Sequence, residues 1–340
     1  MPRVSLKYEL RHVFNATSYI VPTWRCRERN DGLLESRMEV HVLGCGPSSS
    51  VPSMRCLLSS ECNVCKEAYE NPTSMNHRLN PSILIRVKSG NGTRNILIDC
   101  GKTFRQAALR LFPKLQIDTI DAIILTHDHA DAVLGLDDLR EVQPFRVEID
   151  PITKESCNVS SGALPVFCNE ETQQGIETKF PYLCQSENTS ARWVAQINFS
   201  LFQPLIPFSV CGYDFVPLPV LHGDDYYAFG YVFGFEVNKC FVYISDVSHV
   251  PPQTMQYLVE RKESIDFLMI DALNTERRHN THMNLPAVIN LVLELRPKQT
   301  YLTGMSHDFD YNKTNAVIRD LPKLDNLKVE MAYDGLFISL

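Results

Sequence analysis

The residues best suited to chemistry in this sequence lie in the segment THDHADA, residues 126–132. It spaces His127, His129 and Asp131 two residues apart, and imidazole and carboxylate groups are common metal ligands. The apolar run directly before it, residues 122–125, is typical of a buried strand. Because residues i and i+2 of an extended backbone point the same way, His127 and His129 can face one ion. The pattern predicts a metal site at a strand end, in preference to two surface histidines in a loop.

Four more polar residues each follow an apolar run of strand length: His222, Asp246, Asp271 and His307. Polar groups at the loop side of a sheet are where α/β folds usually build sites. Taken singly, a strand-terminal aspartate is more often a cap or a turn former. Taken with the histidine segment, these residues predict a single site formed by side chains that are distant in the sequence.

Alternating strands and helices must position these site residues. Apolar runs predict strands at 38–43, 82–87, 95–99, 164–168, 213–221, 228–236, 240–245, 267–271 and 300–303, with two short strands at the C-terminus. Helical apolar spacing predicts helices over 103–112, 134–142, 170–180, 252–260 and 285–295. Strands interspersed with helices indicate a single layered α/β domain over 38–340, with an insertion around 147–207 and an N-terminal extension at 1–37.

The composition narrows the class of protein. A hydrophobic content of 44% and a charged content of 21% are those of an ordinary soluble globular protein. The formal net charge of −7 argues against a general nucleic-acid surface, although a local basic patch is compatible with it. No apolar run is long enough to span a bilayer. We therefore expect neither a membrane nor a nucleic-acid partner, while a homodimer stays open.

The N-terminal residues lack the continuous apolar core of a secretory signal. We expect a cytoplasmic protein with access to the nucleus, and a mitochondrial presequence remains the alternative. Eleven cysteines without a secretory signal indicate reduced thiols. Three of them differ from the rest, because Cys56, Cys62 and Cys65 lie close together in a polar segment. The C-x-x-C spacing of the last two is compatible with a zinc site or with free thiols, and less so with redox catalysis.

From residue 38 to the C-terminus the sequence resembles a metallo-β-lactamase superfamily hydrolase. It is most similar to the branch that contains the cyclic phosphodiesterase of the carbon–phosphorus lyase pathway. The resemblance rests on five segments in this order: THDHADAVLGL, PLPVLHG, YISDVSHVP, RRHNTHMNL and LTGMSHDFD. It implies an α/β fold of the four-layer αββα type. It also implies metal ligands at His127, His129, Asp131, His222 and Asp246.

Two positions depart from the superfamily pattern. Ala132 stands where a histidine is expected after Asp131, and Gly304 stands where the last histidine ligand is expected. Both missing side chains would belong to the second ion of a binuclear pair. A three-histidine site with an open fourth position is the arrangement of a catalytic zinc. We therefore expect one tightly bound catalytic zinc, with at most a weak second divalent ion such as manganese.

Two further roles follow from the resemblance. In the related phosphodiesterases three cysteines and a histidine hold a structural zinc, and Cys56, Cys62, Cys65 and His307 match that set. His282 matches a histidine that contacts the phosphate and aids departure of the leaving group, with His279 as a nearby competitor. A loop with free thiols and a solvated loop histidine are the simpler alternatives.

The sequence thus predicts a zinc-dependent hydrolase, of phosphodiesterase type, that cleaves a small-molecule phosphoester with a metal-activated water. Asp131 is expected to orient that water or take its proton, and His282 to act on the leaving oxygen. A thioester or lactone hydrolase on the same fold and a catalytically eroded metal-binding protein are the alternatives. A tRNA-processing nuclease fits less well, because second-metal ligands are missing and the net charge is acidic.

Overall fold

The computed structural model describes residues 37–59, 62–90, 92–149, 152, 154–184 and 194–340. The predicted extension at 1–37 lies outside this part of the chain except for its last residue. Within the described residues, no helix combines the length and the apolar character that a membrane crossing requires.

Sixteen strands are present in the described part of the chain. They are β1 Arg37–Gly44, β2 Ser82–Ser89, β3 Gly92–Ile98, β4 Ala122–Ile124, β5 Phe145–Ile149, β6 Ser156–Ser160, β7 Leu164–Cys168, β8 Ile197–Leu201, β9 Phe208–Val210, β10 Tyr213–Leu221, β11 Tyr227–Phe233, β12 Phe241–Ile244, β13 Phe267–Asp271, β14 Gln299–Thr303, β15 Lys328–Met331 and β16 Phe337–Ser339.

Eight α-helices accompany these strands in the same described ranges. They are α1 Met54–Ser59, α2 Asn63–Glu70, α3 Phe104–Leu115, α4 Ala130–Val133, α5 Glu170–Lys179, α6 Pro252–Val259, α7 Leu285–Leu295 and α8 Tyr311–Arg319. Short 3₁₀ segments, among them Leu136–Glu141, complete the secondary structure.

Two seven-stranded mixed sheets form the framework. The first has the order β16-β1-β2-β3-β4-β7-β8 and the second the order β15-β14-β13-β12-β11-β10-β9. Strands β3, β4, β7 and β8 are parallel to one another in the first sheet, as are β12 to β15 in the second, whereas the remaining strand pairs are antiparallel. Parallel strands require covered faces, which is why the inner strands β4, β12 and β13 are nearly continuous apolar runs in the sequence.

The cores show how the layers stack. Ile83 and Ile85 of β2 belong to one hydrophobic cluster with strands of the second sheet and with α7. Leu84, between them, belongs to another cluster that includes Phe104 and Phe112 of α3. Because successive side chains of a strand point to opposite faces, the first sheet packs on the second sheet with one face and on helices with the other. The α/β fold is the expected αββα sandwich of the metallo-β-lactamase type.

Two predicted helices differ from the structure. Helix α3 continues past Pro113 to Leu115. Proline removes only one hydrogen bond near the helix end, and Gln116 closes the helix by donating to the carbonyls of Phe112 and Pro113. The short helix predicted over 134–142 is a 3₁₀ segment, Leu136–Glu141, and it is separated from the preceding α4. The break lies at Gly135, whose N–H donates to the Cys100 carbonyl at 2.8 Å instead of continuing a helix.

The predicted polar insertion begins with a hairpin of β5 and β6, which pair only with each other in the described residues. Other elements match well. The strands predicted at 164–168, 213–221 and 267–271 and the helix at 285–295 are confirmed with the bounds given above.

Candidate metal centre

Three histidines meet between the two sheets. His127 and His129 follow β4 of the first sheet, and His222 follows β10 of the second. One ring nitrogen of each lies within 4.8 Å of those of the other two. The rings of His127 and His129 are 4.6 Å apart and that of His222 is 5.3 Å and 5.1 Å from them. The predicted convergence is present, and it needs both sheets.

His127 is oriented by a buried chain of hydrogen bonds. The Thr126 hydroxyl donates to Asp99 Oδ2 at 2.8 Å, so it accepts from His127 Nδ1 at 2.8 Å. Nε2 of His127 then faces the other histidines, and this buried atom has no hydrogen-bond partner among the described residues. Burial lowers the pKa of His127 to about 4, so the ring is neutral at pH 7. A neutral imidazole with an unpaired buried nitrogen suits a metal ion.

His222 is oriented in a similar way. Its Nδ1 donates to the carbonyl oxygen of Thr281 at 2.8 Å, which leaves Nε2 for the cluster. Burial also lowers the pKa of His222. Metal-binding histidines usually donate their other ring N–H to a carbonyl or carboxylate. His222 follows that pattern directly, and His127 reaches the Asp99 carboxylate through the Thr126 hydroxyl.

His129, the exposed member of the three, is held by an aromatic ring. The Tyr226 ring stacks on it with centroids 4.8 Å apart and an interplanar angle of 7°. The Tyr226 hydroxyl donates to Asp128, whose carboxylate also pairs with Lys179 at the end of α5. This approach of α5 needs Gly175, because a Cβ there would lie 2.2 Å from Asp128 Oδ2.

A second cluster adjoins the first. Ligand atoms of His222, Asp246 and His282 lie within 4.8 Å of one another. Burial acts to raise the pKa of Asp246, but the neighbouring His127, His282 and His222 outweigh it and lower the pKa. An anionic Asp246 therefore lies where it can complete or modulate the set of metal ligands.

His282 is paired with a buried carboxylate. Its Nδ1 donates to Asp271 Oδ2 at 2.6 Å, and the Asp271 side chain is fully buried. Burial raises the pKa of Asp271 to about 6. Burial acts to lower the pKa of His282, but Asp271 outweighs it and raises the pKa to about 9. His279, the predicted competitor, is exposed, and its ring centroid is 5.3 Å from that of His282.

Two further positions that the sequence singled out, Asp131 and Ala132, lie beside the ligand clusters and not in them. Asp131 is buried on α4 and lies outside both ligand clusters of the described residues. Burial raises its pKa, as does the nearby Asp246. Ala132 belongs to the apolar cluster under the first sheet. The position that would carry a second-metal histidine is therefore part of the core.

The predicted cysteine site is assembled as well. Ligand atoms of Cys56, Cys62, Cys65 and His307 lie within 4.8 Å of one another. Cys62 Sγ is 3.4 Å from His307 Nδ1, and Cys56 Sγ is 3.7 Å from the same atom. Four such ligands at these separations fit a closed tetrahedral zinc site.

Arg78 supports this site. Its guanidinium group is fully buried and donates to the carbonyl oxygens of Ser306 and Phe309, on either side of His307. Arg78 is thus part of the structure that presents His307 to the three cysteines.

Sequence reasoning missed the residues that orient the histidines. Asp99, Tyr226 and Arg78 have no motif of their own, and Thr126 begins the THDHADA segment without being a metal ligand. Each acts through a partner distant in the sequence or through a neighbouring side chain. A positive φ of 63° at the non-glycine residue Asp99 is a structural signal of its special role that the sequence does not display.

Comparisons with known proteins agree with this geometry. Residues 94–305 match the family model of the beta-lactamase superfamily domain. The octanoyltransferase of Porphyromonas gingivalis (strain ATCC BAA-308 / W83) is 25% identical over 299 residues, which are 88% of this chain and 51% of that protein. The coenzyme PQQ synthesis protein B of Methylorubrum extorquens (strain PA1) is 31% identical over 119 residues, which are 34% and 38% of the two chains. The chain thus spans about half the length of the first of these curated relatives, and its match to the second covers less.

Solved structures extend the likeness to nearly the whole chain. A new diphosphatase from the PhnP family is 30% identical, with a TM-score of 0.67 over 91% of this chain and 98% of the other. The metallo-β-lactamase fold protein YhfI from Bacillus subtilis is 15% identical, with a TM-score of 0.58 over 89% and 100% of the two chains. At that identity the second match supports the fold alone.

Proposed function

Since this chain belongs to the metallo-β-lactamase superfamily, close to the PhnP family, and is a metal-dependent hydrolase of phosphodiesterase type, we propose that it cleaves a small phosphoester with zinc bound at the three histidines. One observation carries the proposal: the unpaired, buried Nε2 of His127 faces the rings of His129 and His222. Three imidazoles that leave an open position form the usual ligand set of a catalytic zinc. When bound, such an ion polarises the scissile group and lowers the pKa of a water towards neutrality.

The chain's own residues supply the rest of the chemistry. We propose that Asp131 orients the attacking water or takes its proton, because it is a buried carboxylate in the first turn of α4, directly after the segment that carries His127 and His129. Asp246 completes the ligand set through its position beside His222. His282 donates a proton to the leaving oxygen, or stabilises its charge, because Asp271 holds its Nδ1 and leaves its Nε2 toward the cluster.

The cysteine site has a structural role in this proposal. A second zinc on Cys56, Cys62, Cys65 and His307 links the segment of α1 and α2 to the loop after β14. That segment has only a small apolar cluster of its own, made of Val51, Cys56, Val64, Cys65 and Ala68. A metal held by the four ligands would add a cross-link to this small cluster.

The proposed setting is a reducing compartment such as the cytoplasm or the nucleus. None of the cysteines whose side chains the structure describes forms a disulfide with another described residue, and most of them are buried. We propose a hydrolase domain over 38–340.

Metal analysis together with substrate profiling tests the proposal. The purified chain should contain about two zinc ions, one at each site. It should hydrolyse bis(p-nitrophenyl) phosphate, and H127A should lose the activity and one zinc while keeping the other. About three metal ions per chain would instead restore a binuclear centre.

The two alternatives give different results in the same experiment. Hydrolysis of thioesters or lactones without any phosphodiester activity would assign the acyl chemistry. Two bound zinc ions with neither activity would support an eroded metal-binding protein, as Ala132 and Gly304 suggest.

A further inference from the structure

The space beside Gly304 is occupied by a carboxylate. Gly304 follows β14 with a positive φ of 67°. A Cβ at this position would lie 2.2 Å from Asp271 Oδ1 and 3.2 Å from its Cγ. Real Cβ atoms do not approach an oxygen so closely, so a side chain at residue 304 and the present Asp271 rotamer exclude each other.

Asp271 uses this space to orient His282. Its Oδ2 accepts from His282 Nδ1 at 2.6 Å and from the Val247 backbone N–H at 3.2 Å. Its Oδ1, on the Gly304 side, has no hydrogen-bond partner among the described residues. The carboxylate is thus turned toward the glycine so that its other oxygen can reach His282.

The His282 ring, held by the Asp271 carboxylate, lies against the three-histidine cluster. Its centroid is 4.8 Å from that of His222, with an interplanar angle of 76°. A ligand atom of His282 lies within 4.8 Å of those of His222 and Asp246. An Nδ1 donor bonded to a buried carboxylate fixes both the ring orientation and the tautomer, so that Nε2 is the atom presented to the site.

We propose that Asp271 is a positioning residue, and that Gly304 is required because the Asp271 carboxylate fills the place where a histidine ligand was expected. Where a metal ligand was expected at residue 304, the Asp271 carboxylate lies beside the glycine and directs His282 toward the site. This inference rests on the proposed function of His282.

Two glycine substitutions separate the collision from backbone strain. G304A and its control G335A both place alanine at a positive φ, 67° and 94°. At Gly335 the nearest atom to an added Cβ is Leu111 Cδ2 at an ordinary 3.7 Å. Both variants should lose thermal stability from strain, but only G304A should disturb Asp271.

We expect G304A to lower kcat on bis(p-nitrophenyl) phosphate by at least ~10-fold, with little change in KM and with the zinc content of the wild type. G335A should keep the kcat of the wild type. The imidazole N–H proton resonance of His282, assigned by its loss in H282Q, should shift in G304A and stay in place in G335A. Equal behaviour of G304A and G335A would overturn the proposal, and so would loss of a zinc ion from G304A.

A double substitution keeps the test valid if G304A folds poorly. In D271S the shorter side chain leaves room for a Cβ at residue 304, but it no longer holds His282. D271S should therefore lose the resonance and the activity, and D271S/G304A should be no less active than D271S. If the double variant lost activity by the product of the two single losses, the proposed positioning would be contradicted. An unchanged His282 resonance in D271S would contradict it as well. The resonance and stability measurements test the role of Asp271 even if the wild type hydrolyses no phosphodiester. The positioning of His282 and the proposed hydrolase activity can therefore be refuted independently.

Discussion

Removal of the Thr126 hydroxyl should weaken metal binding at the three histidines. Valine has nearly the shape of threonine, so T126V removes the hydroxyl with little change in packing. In the wild type this hydroxyl accepts from His127 Nδ1 and donates to Asp99 Oδ2, each at 2.8 Å. The backbone N–H of residue 126 donates to Asp99 Oδ1 at 2.9 Å and is kept in the variant, so Asp99 loses only one of its two bonds to residue 126.

The expected loss of zinc affinity follows from the burial of His127. His127 is 1% exposed, so its Nδ1–H finds no water in place of the lost hydroxyl. A buried donor left without a partner costs about 1–3 kcal/mol. Since each 1.4 kcal/mol is tenfold in an equilibrium constant, T126V should bind zinc roughly 5- to 150-fold more weakly.

Competition with a chromophoric zinc chelator measures this change. T126S keeps the hydroxyl and is the matched control, and the zinc of the cysteine site is an internal reference that should not move. If T126V bound zinc as tightly as the wild type, or if T126S were as weak as T126V, the proposed orientation of His127 would be refuted.

Three further predictions concern other parts of the two sites. C62S/C65S should lose one of two zinc ions and unfold at a lower temperature, whereas the exposed-thiol variant C211S should keep both, as metal analysis and calorimetry will show. Y226L removes a stacked ring worth about 0.5–1.5 kcal/mol, so its zinc affinity should fall roughly 2- to 10-fold, and Y226F, which keeps the ring, should lose less in the same chelator titration. Gly to Ala within a helix usually stabilises, but G175A should lower the melting temperature because its Cβ would collide with a carboxylate oxygen at 2.2 Å; a higher melting temperature would contradict the close approach of α5.

Local sequence patterns predicted the fold well where the apolar signal is continuous. The strand at 164–168 and the helix at 285–295 are confirmed because each has an uninterrupted pattern of the right period. Prediction was less accurate at 134–142, where the helix is of the 3₁₀ type and a contact with the Cys100 carbonyl makes a break between it and α4 at Gly135. The cause of that break lies in a distant segment, so the helical spacing of the residues themselves does not reveal it.

The sequence by itself determined which side chains are present for metal chemistry. The spacing of His127, His129 and Asp131 after an apolar run predicts ligands at a strand end, since backbone periodicity is local. It also revealed that histidines are missing at Ala132 and Gly304. Local periodicity does not show what occupies the space those side chains would have filled.

Only the tertiary structure decided that question. Ala132 packs into the core under the first sheet, whereas the place beside Gly304 is taken by Asp271, which bonds to His282. Tyr226 reaches Asp128 across 98 residues of sequence to stack on a histidine of the other sheet. Contacts of this kind depend on how two sheets are packed, and packing is a property of the whole chain.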